Sequence, residues 1–151
     1  MAYRSIIVKG EGVRYEGKAN AAITPGHLVE QMSTGNIRVH ASAGGNAMRA
    51  FAVENDLEGE EIGDAYVANE RVQYNIFQNG DVVYGILADG QNASIGSKLE
   101  SNGNGELRVA GEESSGESQP ESIVGLALDA VDASDSATTT VANRRIRCQI
   151  I

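Results

Sequence analysis

The stretch Val72-Gln-Tyr-Asn-Ile-Phe-Gln78, Asn79-Gly80, Asp81-Val-Val-Tyr-Gly-Ile-Leu87 decides the fold class of this chain. An Asn-Gly pair between two β-prone runs is a strong hairpin signal, because a type I′ turn needs positive φ at both central residues. A two-residue turn would pair Ile76 with Val83 and Tyr74 with Gly85 on a core face. The other face, which we expect to meet a second sheet or a neighbouring subunit, would carry Phe77, Val82, Tyr84 and Ile86.

The composition of the 151 residues favours the same class. The chain holds 18 Gly and 2 Pro, and Gly disfavours helix interiors by about 1 kcal/mol relative to Ala. Hydrophobic residues make up 41% and aromatic residues 5%, so we expect a thin core that association between subunits completes. The sequence therefore predicts an all-β domain, a small β-barrel or β-sandwich-like fold of short strands and hairpins. At most a short helical turn would lie within residues 47–57.

A weak internal repeat relates residues 4–40 to residues 74–110 at an offset of 70 residues. In its strongest block, Gly26–Val39 aligns with Gly96–Val109. Each copy has a turn, a short strand, a Gly-containing turn and a second strand. Both an internal duplication and a coincidence among Gly-rich hairpins remain open as explanations.

The rest of the chain divides into an N-terminal segment, residues 1–19, and a β-rich domain, residues 20–151. Within the domain, Ala110–Ser122 is rich in Glu, Ser and Gly. It has too little apolar surface to bury, so we expect a mobile acidic loop. The N-terminal segment is locally basic between residues 3 and 14. It is either an arm that adds to the sheet of a partner or the first strand of the chain's own fold.

Charge and targeting signals narrow the choice of partners. Twelve Lys and Arg against 21 Asp and Glu give a net charge of −9, which disfavours nucleic-acid binding. No apolar run approaches the roughly 18–20 residues of a membrane span, and the first residues lack the apolar region of a signal peptide. We therefore expect synthesis in the bacterial cytoplasm and no membrane partner. The single Cys excludes an internal disulfide.

Motifs for catalysis or cofactor binding are incomplete. Ser42 lies close to His40 but lacks the G-x-S-x-G nucleophile elbow, and Gly96-Ser97-Lys98 departs from the phosphate-loop pattern. The carboxylates of residues 54–64 lack the order of a calcium loop, so we interpret them as a solvated acidic loop. The motifs of dUTP pyrophosphatases, which include acidic β-rich trimers of this length, are not recognisable. We therefore expect no enzyme activity, no catalytic residues, no cofactor and no metal site.

Seven segments of the β-rich domain carry a family resemblance. They are Asn20–Glu30, Ile37–Gly45, Ala50–Leu57, Ala88–Asn92, Gly96–Gly103, Gly105–Val109 and Ser122–Leu128. Together they resemble the capsid cement (head decoration) proteins of tailed bacteriophages. The resemblance implies a β-rich structural protein of the virion, often a homotrimer. It also implies binding to the major capsid protein on the outer surface of the mature capsid.

We assign contacts with the capsid or another subunit to two groups of apolar and basic residues. They are Tyr3, Arg4, Ile6, Ile7 and Val8 in the N-terminal segment, and Phe77, Val82, Tyr84 and Ile86 on the second face of the predicted hairpin. A second hypothesis is a β-rich module for a small ligand or carbohydrate, with a stacking face of Tyr15, Tyr66, Tyr74 and Tyr84. A third is an enzyme whose site is completed at a subunit boundary.

The acidic loop generates a first prediction. Replacing residues 110–122 by a short Gly-Ser turn should leave folding and capsid binding nearly intact, because doubling a loop's length changes stability by only about 0.6 kcal/mol. A thermal melt and co-sedimentation with capsids measure the two properties. Loss of binding with an unchanged melt would instead identify the loop as a contact.

Overall fold

Thirteen short strands form the structure, a computed structural model that describes residues 3–110, 122–135 and 140–151. The strands are β1 (Ile7–Lys9), β2 (Val13–Lys18), β3 (Val29–Gln31), β4 (Ile37–Val39), β5 (Ala50–Ala52), β6 (Arg71–Ile76), β7 (Val82–Ile86), β8 (Asn92–Ala93), β9 (Lys98–Ser101), β10 (Leu107–Val109), β11 (Ile123–Ala127), β12 (Val131–Asp132) and β13 (Arg145–Ile150). Two 3₁₀-helices lie at Asp56–Glu58 and Val141–Arg144. No α-helix occurs in the described ranges, and no helix there could span a membrane.

The strands form several antiparallel sheets. The largest has six strands in the order β1-β7-β13-β11-β9-β10, and a second has the order β2-β6-β5. Strands β3 and β4 form a separate hairpin, and β12 pairs with β8. None of these sheets closes on itself. The all-β prediction is therefore confirmed, and a sandwich-like arrangement fits the molecule, whereas a barrel does not.

The expected hairpin of residues 72–87 is wrong. Strand β6 pairs with β2 and β5, whereas β7 pairs with β1 and β13 in the other sheet. At the turn, the N–H of Asp81 donates to the carbonyl of Gln78 at 3.0 Å. Gly80 has a φ of +94°, but Asn79 does not adopt a positive φ. A positive φ at the second central residue alone is the pattern of a type II turn, which splays the flanking strands, whereas the hairpin turns I′ and II′ need a positive φ at the first. The two strands accordingly diverge into separate sheets.

The apolar interior comprises two clusters. One lies around the six-stranded sheet and contains Phe51, Phe77 and Ile146, and the other contains Tyr66, Tyr74 and Ile37. The accessible surface of 7618 Å² is close to the roughly 7,400 Å² expected for a folded monomer of this mass. The single chain thus has an apolar interior of its own, and the completion of this core by a second subunit stays a prediction.

The strongest block of the repeat folds twice into the same hairpin. Strands β3 and β4 pair in the register Val29↔Val39, Glu30↔Arg38 and Gln31↔Ile37. Seventy residues later, β9 and β10 pair in the register Leu99↔Val109, Glu100↔Arg108 and Ser101↔Leu107. Each hairpin carries the same cross-strand ion pair, at 2.7 Å in the first copy and 2.9 Å in the second. The alignment of Gly26–Val39 with Gly96–Val109 therefore corresponds to a real structural equivalence.

The ends of the acidic segment belong to the sheet. The N–H of Ala110 donates to the carbonyl of Lys98 at 2.8 Å, and Ser122 is buried with its hydroxyl donating to Glu100 at 2.9 Å. Residues 111–121, and with them the expected mobility of the loop, lie outside the described ranges. A Gly-Ser replacement should therefore retain Ala110 and Ser122.

The two equivalent hairpins offer an internally controlled stability test. In the second copy the side chains of Glu100 and Arg108 are only 5% and 15% exposed, compared with 24% and 44% for Glu30 and Arg38. Arg108→Gln leaves the buried Glu100 carboxylate with its hydrogen bond from Ser122 but without this cationic partner, and should lower the free energy of unfolding by about 3 kcal/mol. Arg38→Gln should cost less than about 1 kcal/mol. Urea unfolding measures both values, and equal losses would contradict the dependence on burial.

Candidate interaction surface

The two groups of residues assigned to partner contacts meet each other within the chain. The carbonyl of Ile6 accepts the N–H of Tyr84 at 2.8 Å, and Ile7 lies opposite Val83 where β1 pairs with β7. The Tyr3 ring packs edge-on against the Tyr84 ring, with 5.3 Å between the centroids. The N-terminal segment therefore supplies the first strand of the fold and covers part of β7.

This packing corrects the assigned interface. Ile6, Phe77, Val82, Tyr84 and Ile86 are all buried within the chain, because the N-terminal segment and the interior occupy the faces that we assigned to a partner. Their burial removes them from the candidate surface. Of the other assigned residues, Arg4 is exposed and Tyr3, Ile7 and Val8 are half-buried. A contact through these four stays a prediction.

The exposed part of the basic N-terminal segment continues into β2, beyond the residues 3–14 in which we expected a partner contact. This strand pairs with β6, and no strand in the described ranges pairs with its other edge. Val13 and Tyr15 are each 48% exposed, and Tyr15 stacks on Tyr74 with 5.9 Å between the rings. The alternation of apolar and polar residues from Val13 to Lys18 is typical of a half-buried strand, and this signal could have located β2.

Polar contacts fix the opposite face of β2. The Arg14 guanidinium donates to Gln73 Oε1 at 2.9 Å and to Asn75 Oδ1 at 3.3 Å, and it lies 3.6 Å from an oxygen of Asp56. We call Val13, Arg14 and Tyr15 the edge surface, which combines an open strand edge with one cation and two exposed apolar or aromatic side chains.

The four tyrosines proposed as a stacking face do not share one. Tyr66 is fully buried, and its hydroxyl donates to the carbonyl of Val53 at 2.7 Å. Burial raises the Tyr66 pKa to about 12. Tyr74 and Tyr84 are buried in different clusters, and only Tyr15 is well exposed. The structure therefore does not bring these rings together for a carbohydrate.

The residues of the incomplete catalytic and phosphate-loop motifs, and the single Cys, have structural surroundings. Both ring nitrogens of His40 have partners, since Nδ1 lies 2.7 Å from Ser101 Oγ and Nε2 lies 3.0 Å from the carbonyl of Asn46. Cys148 is buried, and desolvation raises its pKa to about 12. Gly96 precedes strand β9 rather than a helix. Within the part of the chain that the structure describes, no three His, Cys, Asp or Glu side chains group as metal ligands.

A pocket of about 380 Å³ lies beside the Tyr3–Tyr84 contact. Its lining includes Tyr3, Thr24, Ile62, Tyr84, Val141 and Arg145, and we call it the arginine pocket. The Arg145 guanidinium lies over the Tyr84 ring at 5.8 Å from the centroid. It donates to the carbonyls of Pro25 and Ile62, each at 2.8 Å. The pocket is thus mainly apolar and aromatic, with one cationic group.

The pKa of His27 depends on its burial and on the positive charges near this pocket. Burial, together with the smaller effects of the neighbouring charges of Arg145 and Arg144, lowers the His27 pKa from 6.5 to about 4. The Nδ1 atom accepts the N–H of Thr24 at 3.1 Å, which also favours an unprotonated nitrogen at that position. His27 is therefore neutral in the folded protein near pH 7.

The shift at His27 predicts a pH dependence of stability. Its folded pKa lies below its unfolded pKa, so the unfolded chain binds the extra proton first. The stabilisation of the folded state by neutral His27 is therefore fully present above pH 6.5, and it is lost as the pH falls from 6.5 towards 4. The loss should reach at most about 3 kcal/mol. Denaturant unfolding of the wild type and of His27→Gln between pH 4 and 8 tests this, because carboxylates titrate in both proteins. A constant difference between them would contradict the prediction.

Comparisons with known proteins identify a structural neighbour. No family model matches this chain, and no curated protein matches it in sequence. Among solved structures, the chain is similar to the N base of the head fiber gp8.5 of bacteriophage phi29, with a TM-score of 0.55 and 13% sequence identity. The match covers 92% of this chain and 93% of that chain. At this identity, the comparison establishes that the two chains share an overall fold.

Proposed function

We propose that this protein is a structural component of a bacteriophage virion that binds the outer surface of the mature capsid and reinforces the major capsid protein lattice. The observation that carries the proposal is the fold shared with the phi29 head fiber base over 92% of the chain. The resemblance of seven segments to capsid cement proteins supports it from the sequence. Fold and sequence pattern thus favour the same class of phage head protein.

The charge of the protein is compatible with an external position. A net charge of −9 would be repelled by packaged DNA, whereas no such repulsion acts on the outer surface. A partner that binds only the folded form would stabilise both itself and this protein by mass action. A protein that reinforces a lattice needs this coupling between binding and folding stability, and it needs no catalytic reaction. We accordingly propose a role without enzyme activity, cofactor or metal.

The edge surface is our proposed site of attachment to the major capsid protein. The open edge of β2 has main-chain N–H and C=O groups available for an added strand, and the exposed Val13 and Tyr15 can fill pockets of a partner. Asp56, at 3.6 Å from the Arg14 guanidinium, offsets part of its charge, so the strand edge and the side chains of Val13 and Tyr15 carry this proposal. We also propose that the protein associates as a homotrimer, as the family resemblance implies.

Binding to shells tests the proposal directly. The purified protein should co-sediment with undecorated mature capsids. Val13→Glu should weaken this binding at least about tenfold, because a carboxylate would replace an apolar contact worth about 1.4 kcal/mol or more. Val67→Glu is the matched control, since Val67 is 57% exposed but lies outside the edge surface. Thermal melts of both variants establish that they fold.

Two results would contradict the proposal. If the wild type does not sediment with mature capsids, the structural role fails. If Val13→Glu and Val67→Glu bind equally well, the attachment site is elsewhere. Light scattering after size exclusion tests the trimer separately, and a stable monomer both in solution and on the shell would refute it. Deleting residues 2–14 is a poor test, because it removes the buried Ile6 and strand β1.

A further inference from the structure

The arginine pocket has the dimensions of a ligand site. Its volume of about 380 Å³ falls in the range of roughly 300–1,000 Å³ that is typical of small-molecule pockets. Such sites combine apolar walls with a few polar groups that orient the ligand. Here the rings of Tyr3 and Tyr84 and the side chains of Ile62 and Val141 supply apolar surface, and Arg145 supplies the polar group.

Arg145 differs from the other well-packed arginines in its partners. Arg108, Arg144 and Arg147 each form an ion pair with a carboxylate, those of Glu100, Glu106 and Asp129 respectively. Arg145 is only 7% exposed, yet no carboxylate in the described ranges forms an ion pair with it. Two of its five N–H groups donate to backbone carbonyls. A neutral carbonyl does not cancel the charge, so Arg145 keeps a charge that no directly bonded carboxylate in the described part of the chain neutralises.

Neighbouring groups compensate Arg145 only in part. The charge of the Glu54 carboxylate raises the Arg145 pKa, but the hydrogen bonds of this carboxylate go to the hydroxyl of Ser5 at 2.9 Å and to the N–H of Ile6 at 3.1 Å. Arg144 adds a second positive charge, which Glu106 neutralises through a contact at 2.6 Å. His27 remains neutral and adds no charge. Among the described residues that line the pocket, Arg145 is thus the charged one.

We propose that the arginine pocket binds an organic carboxylate carried on an apolar or aromatic body. The carboxylate would accept hydrogen bonds from the remaining N–H groups of Arg145, and charge-assisted pairs of this kind are stronger than neutral ones. The body would pack against Tyr3, Tyr84 and Ile62. The same chemistry occurs in a free aromatic acid and in a Glu or Asp next to an apolar residue of a polypeptide. This inference goes beyond the proposed capsid role and does not depend on it.

Titration of the full-length protein with matched probes tests the pocket. The first pair is 3-phenylpropionate and its neutral amide, and the second is the blocked dipeptide acetyl-Phe-Glu-amide and its Gln counterpart. Shifts of the backbone NMR signals of Ile62, Gly63 and Ala142 report binding. At least one acid should bind about tenfold or more tightly than its neutral counterpart. A response to phenylpropionate alone identifies a free acid as the ligand class, and a response to the dipeptide identifies a polypeptide.

A pair of variants locates the binding without changing Arg145, whose hydrogen bonds also support the fold. Ala142→Phe places a ring in the pocket and should abolish the response to the acid. Asn143→Phe is the control, because Asn143 is exposed on the same 3₁₀-helix but does not line the pocket. Melting temperatures of the two variants verify folding.

Three outcomes would overturn the inference. The first is equal affinity of the protein for an acid and its neutral counterpart, and the second is acid binding that is as strong in Ala142→Phe as in Asn143→Phe. The third is the absence of any shift of the pocket NMR signals at about 10 mM probe, a concentration that would reveal even a millimolar affinity. None of these outcomes bears on capsid binding, so the failure of either proposal can be recognised separately.

Discussion

The division of the N-terminal segment between two sheets is the constraint on which the rest of the structure depends. Strand β1 pairs with β7 in the six-stranded sheet, and six residues of β2 pair with β6 in the three-stranded sheet. The chain crosses between the sheets at residues 10–12 and again at residues 77–81. A Cβ atom on Gly12 would clash with the backbone carbonyl of Ile76, and one on Gly10 would clash with the side chain of Asp81. Both glycines also have a positive φ, of +58° at Gly12 and +79° at Gly10. Glycine is therefore strongly favoured where the two crossings touch.

These crossings explain which parts of the fold the sequence could predict. The class, the strands around residues 72–87 and the paired hairpins of the repeat follow from local patterns, because turn residues and alternation act over a few positions. The pairings of β6 with β2 and of β7 with β1 and β13 do not follow, since these partners lie more than 50 residues away along the chain. The same limit applies to the candidate site. The sequence analysis assigns both Tyr3 and Tyr84 to contacts with a partner, but in the structure the two rings pack against each other.

Several arginine side chains join segments that lie far apart along the chain. Arg49 donates to the carbonyls of Ala47 and Ile123, at 2.7 and 2.6 Å, and thereby joins the segment before β5 to β11. Arg144 joins the carbonyl of Leu87 to Glu106, and Arg145 joins Pro25 to Ile62. A guanidinium presents several donors in a fixed plane, so it can satisfy carbonyls from distant segments at once. Composition alone gives a net charge of −9 and does not indicate that several of the few cations lie inside.

The open edge of β2 links the fold to the proposed attachment. An exposed strand edge is a template for unwanted pairing, and proteins commonly protect such edges with charged side chains. Here Arg14, Glu16 and Lys18 alternate with Val13, Tyr15 and Gly17, so the polar face discourages indiscriminate association while the apolar face stays available. The arginine pocket and the edge surface use different residues, but Tyr3 and Val13 belong to the same N-terminal segment. If attachment at β2 shifts this segment, it can change the affinity of the pocket for its ligand. Linkage between two binding sites is reciprocal. A ligand in the pocket would then change the affinity of attachment by the same factor.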